Sequence, residues 1–173
     1  QSTSGQKNEY NKSLTTSIKI LAFISFPLTA LIWGWSESII AFLFERGAFN
    51  ETDTQAVSLF LKIYILSIPS WAIFQALQTS YYSGGDTKRP FFFRVLTFFF
   101  SAFLNGILFI VFKASGLALA LILTRTVVTG ISGWILQKQI KIFNIGLFSF
   151  LGRLALSSLI LCITTVVSRD IFT

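Results

Sequence analysis

The chain has no histidine and no methionine, and Cys162 is its only cysteine. A disulfide framework within one chain is therefore excluded, and so is a Cys/His metal site. With no histidine and no recognisable nucleophile arrangement, an enzyme is not expected. Acids are scarce too: seven Asp and Glu stand against 14 Lys and Arg. The formal charge of +7 invites a nucleic-acid reading. It fails, because the basic residues lie scattered between apolar runs and form no stripe interleaved with aromatics. Only 12% of the 173 residues are charged, where a soluble domain carries about 25%.

What fills the chain instead is apolar. It is 53% hydrophobic, contains 20 Phe, and has a mean hydropathy of +0.71. A soluble fold of this size has no room to hide that surface, but lipid solvates it. The apolar residues fall into five stretches long enough for a helix to cross a bilayer, residues 14–35, 54–83, 90–112, 115–137 and 145–168. Alternating segments of the barrel type are missing, so strands are not expected. The fold class expected is all-α, a polytopic helical membrane protein. Cys162 lies in the last stretch, as a small buried or lipid-facing hydrophobe. The polar opening without an initiator Met or signal pattern fits a piece of a longer membrane protein.

Local chemistry marks the limits of the spans. Thr52 followed by Gln55 reads as a capping box for the second. Gly84-Gly85 ends it, because glycine accepts the left-handed conformation. Pro90 suits the first turn of the third, and Lys113 to Gly116 make a tight turn before the fourth. Pro27 and Pro69 fall inside spans and are expected to act as kinks and hinges. Residues 36–53 keep a short apolar core that extends the first helix or lies at the interface. Divided by these signals, residues 1–13 are a loop, 14–137 hold four spans, and 138–173 hold a loop and one further span.

Charge sets the orientation. Lys7, Lys12, Lys88, Arg89, Arg94, Lys138 and Lys141 collect on one side. Arg46, Lys113 and Arg169 lie on the other, diluted by Glu45, Glu51, Asp53 and Asp170. The positive-inside rule places the N-terminus and the loops at 84–90 and 138–144 in the cytoplasm.

Two polar segments carry a family resemblance. Phe44-Glu45-Arg46-Gly47-Ala48-Phe49, followed by Asp53-Thr54, resembles a loop of the MurJ (MviN) family of lipid II flippases. Tyr82-Ser83-Gly84-Gly85-Asp86-Thr87-Lys88-Arg89-Pro90 is similar to a second loop of that family, at a similar distance. Gly116 to Ala120, Glu9-Tyr10-Asn11 and Arg153-Leu154 fit in the same order. The resemblance implies two six-helix lobes with two extra helices, of which this chain matches the latter part of the second lobe and the first extra helix. It further implies alternating-access transport of an undecaprenyl-linked peptidoglycan precursor across the bacterial inner membrane, in contact with membrane lipids and the remaining helices of the full-length protein. No cofactor, metal or nucleic acid is implied for this piece. A polysaccharide-lipid flippase, a multidrug exporter of the same superfamily, or a membrane scaffold that transports nothing are the alternatives.

An anionic cargo directs attention to cations within the spans, which are costly there without a role. Lys19 and Arg153 lie near enough to an interface to snorkel. Lys62 shares a helix face with Gln55 and Ser58, either as part of a cavity wall or as an interhelical seam. Arg125 and Asn105 lie about ten residues to either side of the turn near residue 114, hence each roughly 15 Å deep. They are expected to form a buried polar pair. Some family members place a cation site among these helices, with a carboxylate where Phe109 stands here. Two readings stay open: the resemblance implies that Arg125 takes the place of an exchangeable cation, and the residues alone fit an ordinary Arg–Asn packing contact.

The orientation is tested by single cysteines with Cys162 replaced by serine. Ser83→Cys and Asn144→Cys should label only from the cytoplasm, and Asn50→Cys only from outside. Labelling of positions 50 and 83 from the same side would overturn the segmentation.

Overall fold

A computed structural model describes residues 2–139 and 145–172. Six helices follow in order: α1 (Ser2–Gly34), α2 (Ser36–Phe44), α3 (Glu51–Ile65), α4 (Ile68–Ser83), α5 (Lys88–Gln139) and α6 (Ile145–Phe172). Among the described residues no strand occurs. Helix α5 is broken at Lys113, where φ is 51° and ψ is −131°. Its two arms, Lys88–Lys113 and Ser115–Lys138, are separate candidate spans. Together with Glu9–Gly34, Glu51–Ser83 and Gly146–Ser168 they make five helices long and apolar enough to cross a membrane.

Three boundaries differ from the sequence reading. Residues 2–13, expected as loop, are helical and continuous with the first span. Once a helix is nucleated, each added residue gains a bond at little cost, and this segment holds no proline to stop it. Residues 36–44, expected to extend the first helix or lie at the interface, do not run on smoothly from α1. They form α2 after a break at Trp35, which is bridged by backbone bonds from Trp35 N to Leu31 O (3.0 Å) and from Ile39 N to Trp35 O (2.9 Å). The loop expected at 138–144, with Lys141, falls largely outside the described residues.

The third difference matters most. The second span is two helices, not one kinked helix: it stops at Ile65 and restarts at Ile68. Pro69 sits in the first turn of α4, where its missing N–H costs nothing, rather than at an internal kink. Pro27, by contrast, lies inside α1 as expected. Gly85 has φ +76° at the end of α4, the conformation its sequence position calls for. The carboxylate of Asp86 then accepts from the backbone N–H groups of Lys88 and Arg89, each at 3.1 Å, and pairs with the Arg89 guanidinium at 3.2 Å. It thereby caps α5, and Pro90 is buried in the turn that follows.

Helix α1 packs on α4 and α6, α4 packs on α5, and α3 packs on both α2 and α5. Leu14, Ile18, Leu77, Phe93, Leu136 and Leu147 meet in one apolar cluster that joins α1, α4, both arms of α5 and α6. Tyr81 closes it, donating to Ser132 O at 3.1 Å while its ring lies 5.7 Å from that of Phe93. Outward, Phe91, Phe98, Phe103 and Ile110 stand exposed on the first arm of α5. Lipid tails are as apolar as these side chains, so helix contacts here rest on close packing and polar seams.

The turn at Lys113 returns the chain tightly enough that a Cβ on Gly116 would lie 2.1 Å from Leu108 O. Backbone cannot yield as a flexible side chain can. Gly116→Ala should lower stability in detergent by about 1–3 kcal/mol, read as thermal unfolding. Gly130→Ala, where the added methyl meets nothing within 4 Å, should be tolerated. Equal effects of the two would contradict the close approach.

Candidate polar seams and cavity

Helix α3 begins with a capping box, but not at the residues expected. Asn50 Oδ1 accepts from Asp53 N and Asp53 Oδ2 accepts from Asn50 N, both at 3.1 Å. Asn50 is extended (φ −109°, ψ 179°), as an N-cap must be, so the box sits two residues before the Thr52–Gln55 pattern. Thr54 donates to Glu45 Oε2 at 3.1 Å and ties the preceding loop to the helix.

The buried side of α3 carries Thr54, Ser58 and Ile65. Lys62 is half-buried beside it, whereas Gln55 is exposed and shares the face only through its carbonyl, which accepts from Ser58 Oγ at 2.9 Å. Lys62 Nζ meets Glu37 Oε1 at 2.6 Å, and the Trp33 ring lies 5.7 Å away. Lys62 is therefore held in a seam between α3 and the α1–α2 junction. Glu37 was missed by sequence reasoning. The available signal was two lone charges of opposite sign in neighbouring apolar runs.

Arg125 reaches the break between α3 and α4. Its Nη1 donates to Ser67 Oγ at 2.9 Å, and its guanidinium lies 5.6 Å from the Tyr64 ring. Ser67 Oγ in turn donates to Tyr64 O at 2.8 Å, a carbonyl that also accepts from Ser67 N at 3.0 Å across the break. The expected Arg125–Asn105 bond is not formed. Asn105 Nδ2 donates to Ser101 Oγ at 3.2 Å, and Asn105 Oδ1 is buried without a hydrogen-bond partner among the described residues. Depth along the helices was read well enough to bring both side chains to one cavity. They stand on different walls of it, because the break offers Arg125 a nearer hydroxyl. Two further contacts fasten the same wall: Thr129 Oγ1 donates to Ser70 O at 3.1 Å, and Ser70 Oγ lies 3.3 Å from Thr126 Oγ1.

That cavity, of about 510 Å³, lies between α4 and the two arms of α5. Arg94, Gln75, Asn105, Thr124 and Arg125 line it among apolar side chains. The donor set does not fit a bound cation. Arg125 already brings a fixed positive charge, and Phe109, at the position of the expected carboxylate, is exposed. The other candidates divide. Lys19 is half-buried, with Nζ 5.6 Å from the Phe150 ring on α6. Arg153 is exposed on α6.

Comparison with known proteins accounts for this architecture. A family model described as "Lipid II flippase MurJ" matches residues 1–173. A probable lipid II flippase MurJ of Rhizobium tropici is 31% identical over 137 residues, covering 79% of this chain and 24% of that protein. One from Buchnera aphidicola subsp. Schizaphis graminum is 26% identical, covering 90% of this chain and 30% of that protein. Among solved structures, a lipid II flippase MurJ in an inward closed conformation superimposes with a TM-score of 0.79 at 26% identity, over 93% of this chain and 33% of that one. The chain thus spans about a quarter to a third of the length of these relatives. With a family model covering it from end to end, the chain belongs to the MurJ family.

Proposed function

We infer that the chain forms the latter part of the second lobe of a lipid II flippase, with the first helix after that lobe. The full-length protein moves undecaprenyl-linked cell-wall precursor outward across the bacterial inner membrane by alternating access, and the N-terminus of this piece faces the cytoplasm. Family membership supports this reading. The structural observation that supports it is the placement of Arg94 and Arg125 on one cavity that no Asp or Glu lines among the described residues. An anionic headgroup needs a path lined by protein and water while its lipid tail stays in hydrocarbon, and inward-turned cations suit that path.

Within such a cycle this segment serves as scaffold, hinge and part of the cavity wall. The Leu66–Ser67 break and Pro27 are the hinge positions. The Lys62–Glu37 pair fastens α3 to α2 on the side that the charge asymmetry assigns to the exterior. Its side chains are 21% and 38% exposed, so the pair is neither a free surface contact nor fully desolvated.

The full-length protein should restore growth to a bacterium depleted of its own flippase, with lipid-linked precursor again reached by an impermeant label outside. Membrane-inserted protein that confers drug resistance without this rescue would identify an exporter. Protein that does neither would identify a scaffold. Lys62→Ala should lower membrane abundance, at a cost of about 1.5–3 kcal/mol for a lost charged hydrogen bond. The exchange Glu37→Lys with Lys62→Glu should restore it. Normal abundance with lost transport in Lys62→Ala would instead make Lys62 a cavity-lining residue.

A further inference from the structure

A second cavity, of about 390 Å³, opens between α1 and α4, at the end of α4 that the charge asymmetry assigns to the cytoplasm. Its volume falls within the range of small-molecule sites, roughly 300–1,000 Å³. Seven of its eleven lining residues carry a hydroxyl or an amide, and none carries a charge. From Ser83 to Gln75 this polar wall follows α4 for about 12 Å into the span. A wall of that kind belongs beside water or a polar ligand, since hydrocarbon satisfies none of its groups.

Most of its hydroxyls have already committed their protons. Ser17 Oγ donates to Ser13 O, Thr79 Oγ1 to Gln75 O and Ser83 Oγ to Ser80 O, each at 3.0 Å. Tyr10 gives its phenolic proton to Ser80 O. These four oxygens keep lone pairs for an incoming donor. The side chains of Ser13 and Gln75 make no hydrogen bond among the described residues. One hydroxyl and one planar amide thus remain free both to donate and to accept.

We propose that this cavity is a subsite for the sugar of a lipid-linked headgroup. A sugar is neutral, and its hydroxyl and acetamido groups donate and accept at short intervals, as this wall requires. Leu14, Ile20 and Leu21 supply the apolar surface against which the C–H face of a sugar ring packs. Other ligands fit less well. A phosphate brings only acceptors to a wall rich in lone pairs and without a cation. A metal ion or an ammonium finds no carboxylate. An acyl chain strands the polar groups. The proposal rests on the transport reading above and deepens it: Ser13 and Gln75 distinguish a sugar-bearing lipid from the same lipid pyrophosphate without sugar.

The test uses the purified full-length protein in lipid nanodiscs and two probes, undecaprenyl pyrophosphate and the same lipid carrying the disaccharide of the cell-wall precursor. The parent should bind the disaccharide probe at least tenfold more tightly. Ser13→Ala with Gln75→Leu should cut that preference to within twofold, while binding of the sugar-free probe and thermal unfolding stay as in the parent. Equal binding of the two probes by the parent, or an undiminished preference in the variant, would overturn the proposal. A second arm does not depend on that variant. With Cys162 replaced by serine, Ser17→Cys should react with a hydrophilic maleimide, and the disaccharide probe should slow the reaction at least fivefold more than the sugar-free one. No reaction would mean that another helix fills the cavity, and equal protection would mean that the sugar does not reach it; either overturns the proposal. A full-length protein that rescues the flippase-depleted bacterium but binds both probes alike would keep the transport reading and lose only the subsite. Failure of the rescue would remove the transport reading itself.

Discussion

A guanidinium inside a bilayer must be satisfied by protein, and that requirement at Arg125 organises much of this fold. Hydrocarbon offers no hydrogen bonds, and an arginine at mid-membrane costs at least ~2.5 kcal/mol on insertion scales. The break between α3 and α4 answers this by releasing the Ser67 hydroxyl toward Nη1. The same hydroxyl donates to Tyr64 O, which also accepts from Ser67 N across the break. One side chain on α5 thus finds its hydrogen-bond partner at the break in the second span.

Other seams follow the same rule at other depths. Lys62 and Glu37 neutralise each other where α3 meets α2, with Trp33 alongside. Tyr81 reaches across to Ser132 O at the apolar cluster, and Tyr10 hydrogen-bonds to Ser80, which draws the start of α1 onto α4. Between such polar contacts the helices meet through ordinary apolar packing, which lipid competes with on nearly equal terms. The polar contacts therefore fix which helix faces which.

Much of this was legible in the sequence, for physical reasons that can be named. The five spans follow from hydropathy alone, because their length is set by the bilayer rather than by neighbours. Gly85 and Pro90 were readable because helix ends are local events. The cap of α3 was misplaced because Asn50–Asp53 and Thr52–Gln55 are overlapping signals, and only backbone geometry chooses between them. Glu37 and Ser67 were missed. Glu37 lies 25 residues from its partner, and Ser67 is 58 residues from Arg125 in an apolar run, so neither pairing leaves a local pattern. Pro69 was assigned to a kink because sequence does not tell an internal proline from one that starts a new helix. Asn105 and Arg125 were placed at equal depth by counting residues, but counting does not say which wall a side chain leaves from.

The most direct test of this account is a double-mutant cycle between Arg125 and Ser67. Arg125→Gln, Ser67→Ala and the double variant of the full-length protein would be compared by reversible unfolding in detergent. The two substitutions should be coupled by about 1–2 kcal/mol, since each removes the other's partner. Additive effects within about 0.5 kcal/mol would mean that the arginine does not hold the break, and would contradict the account.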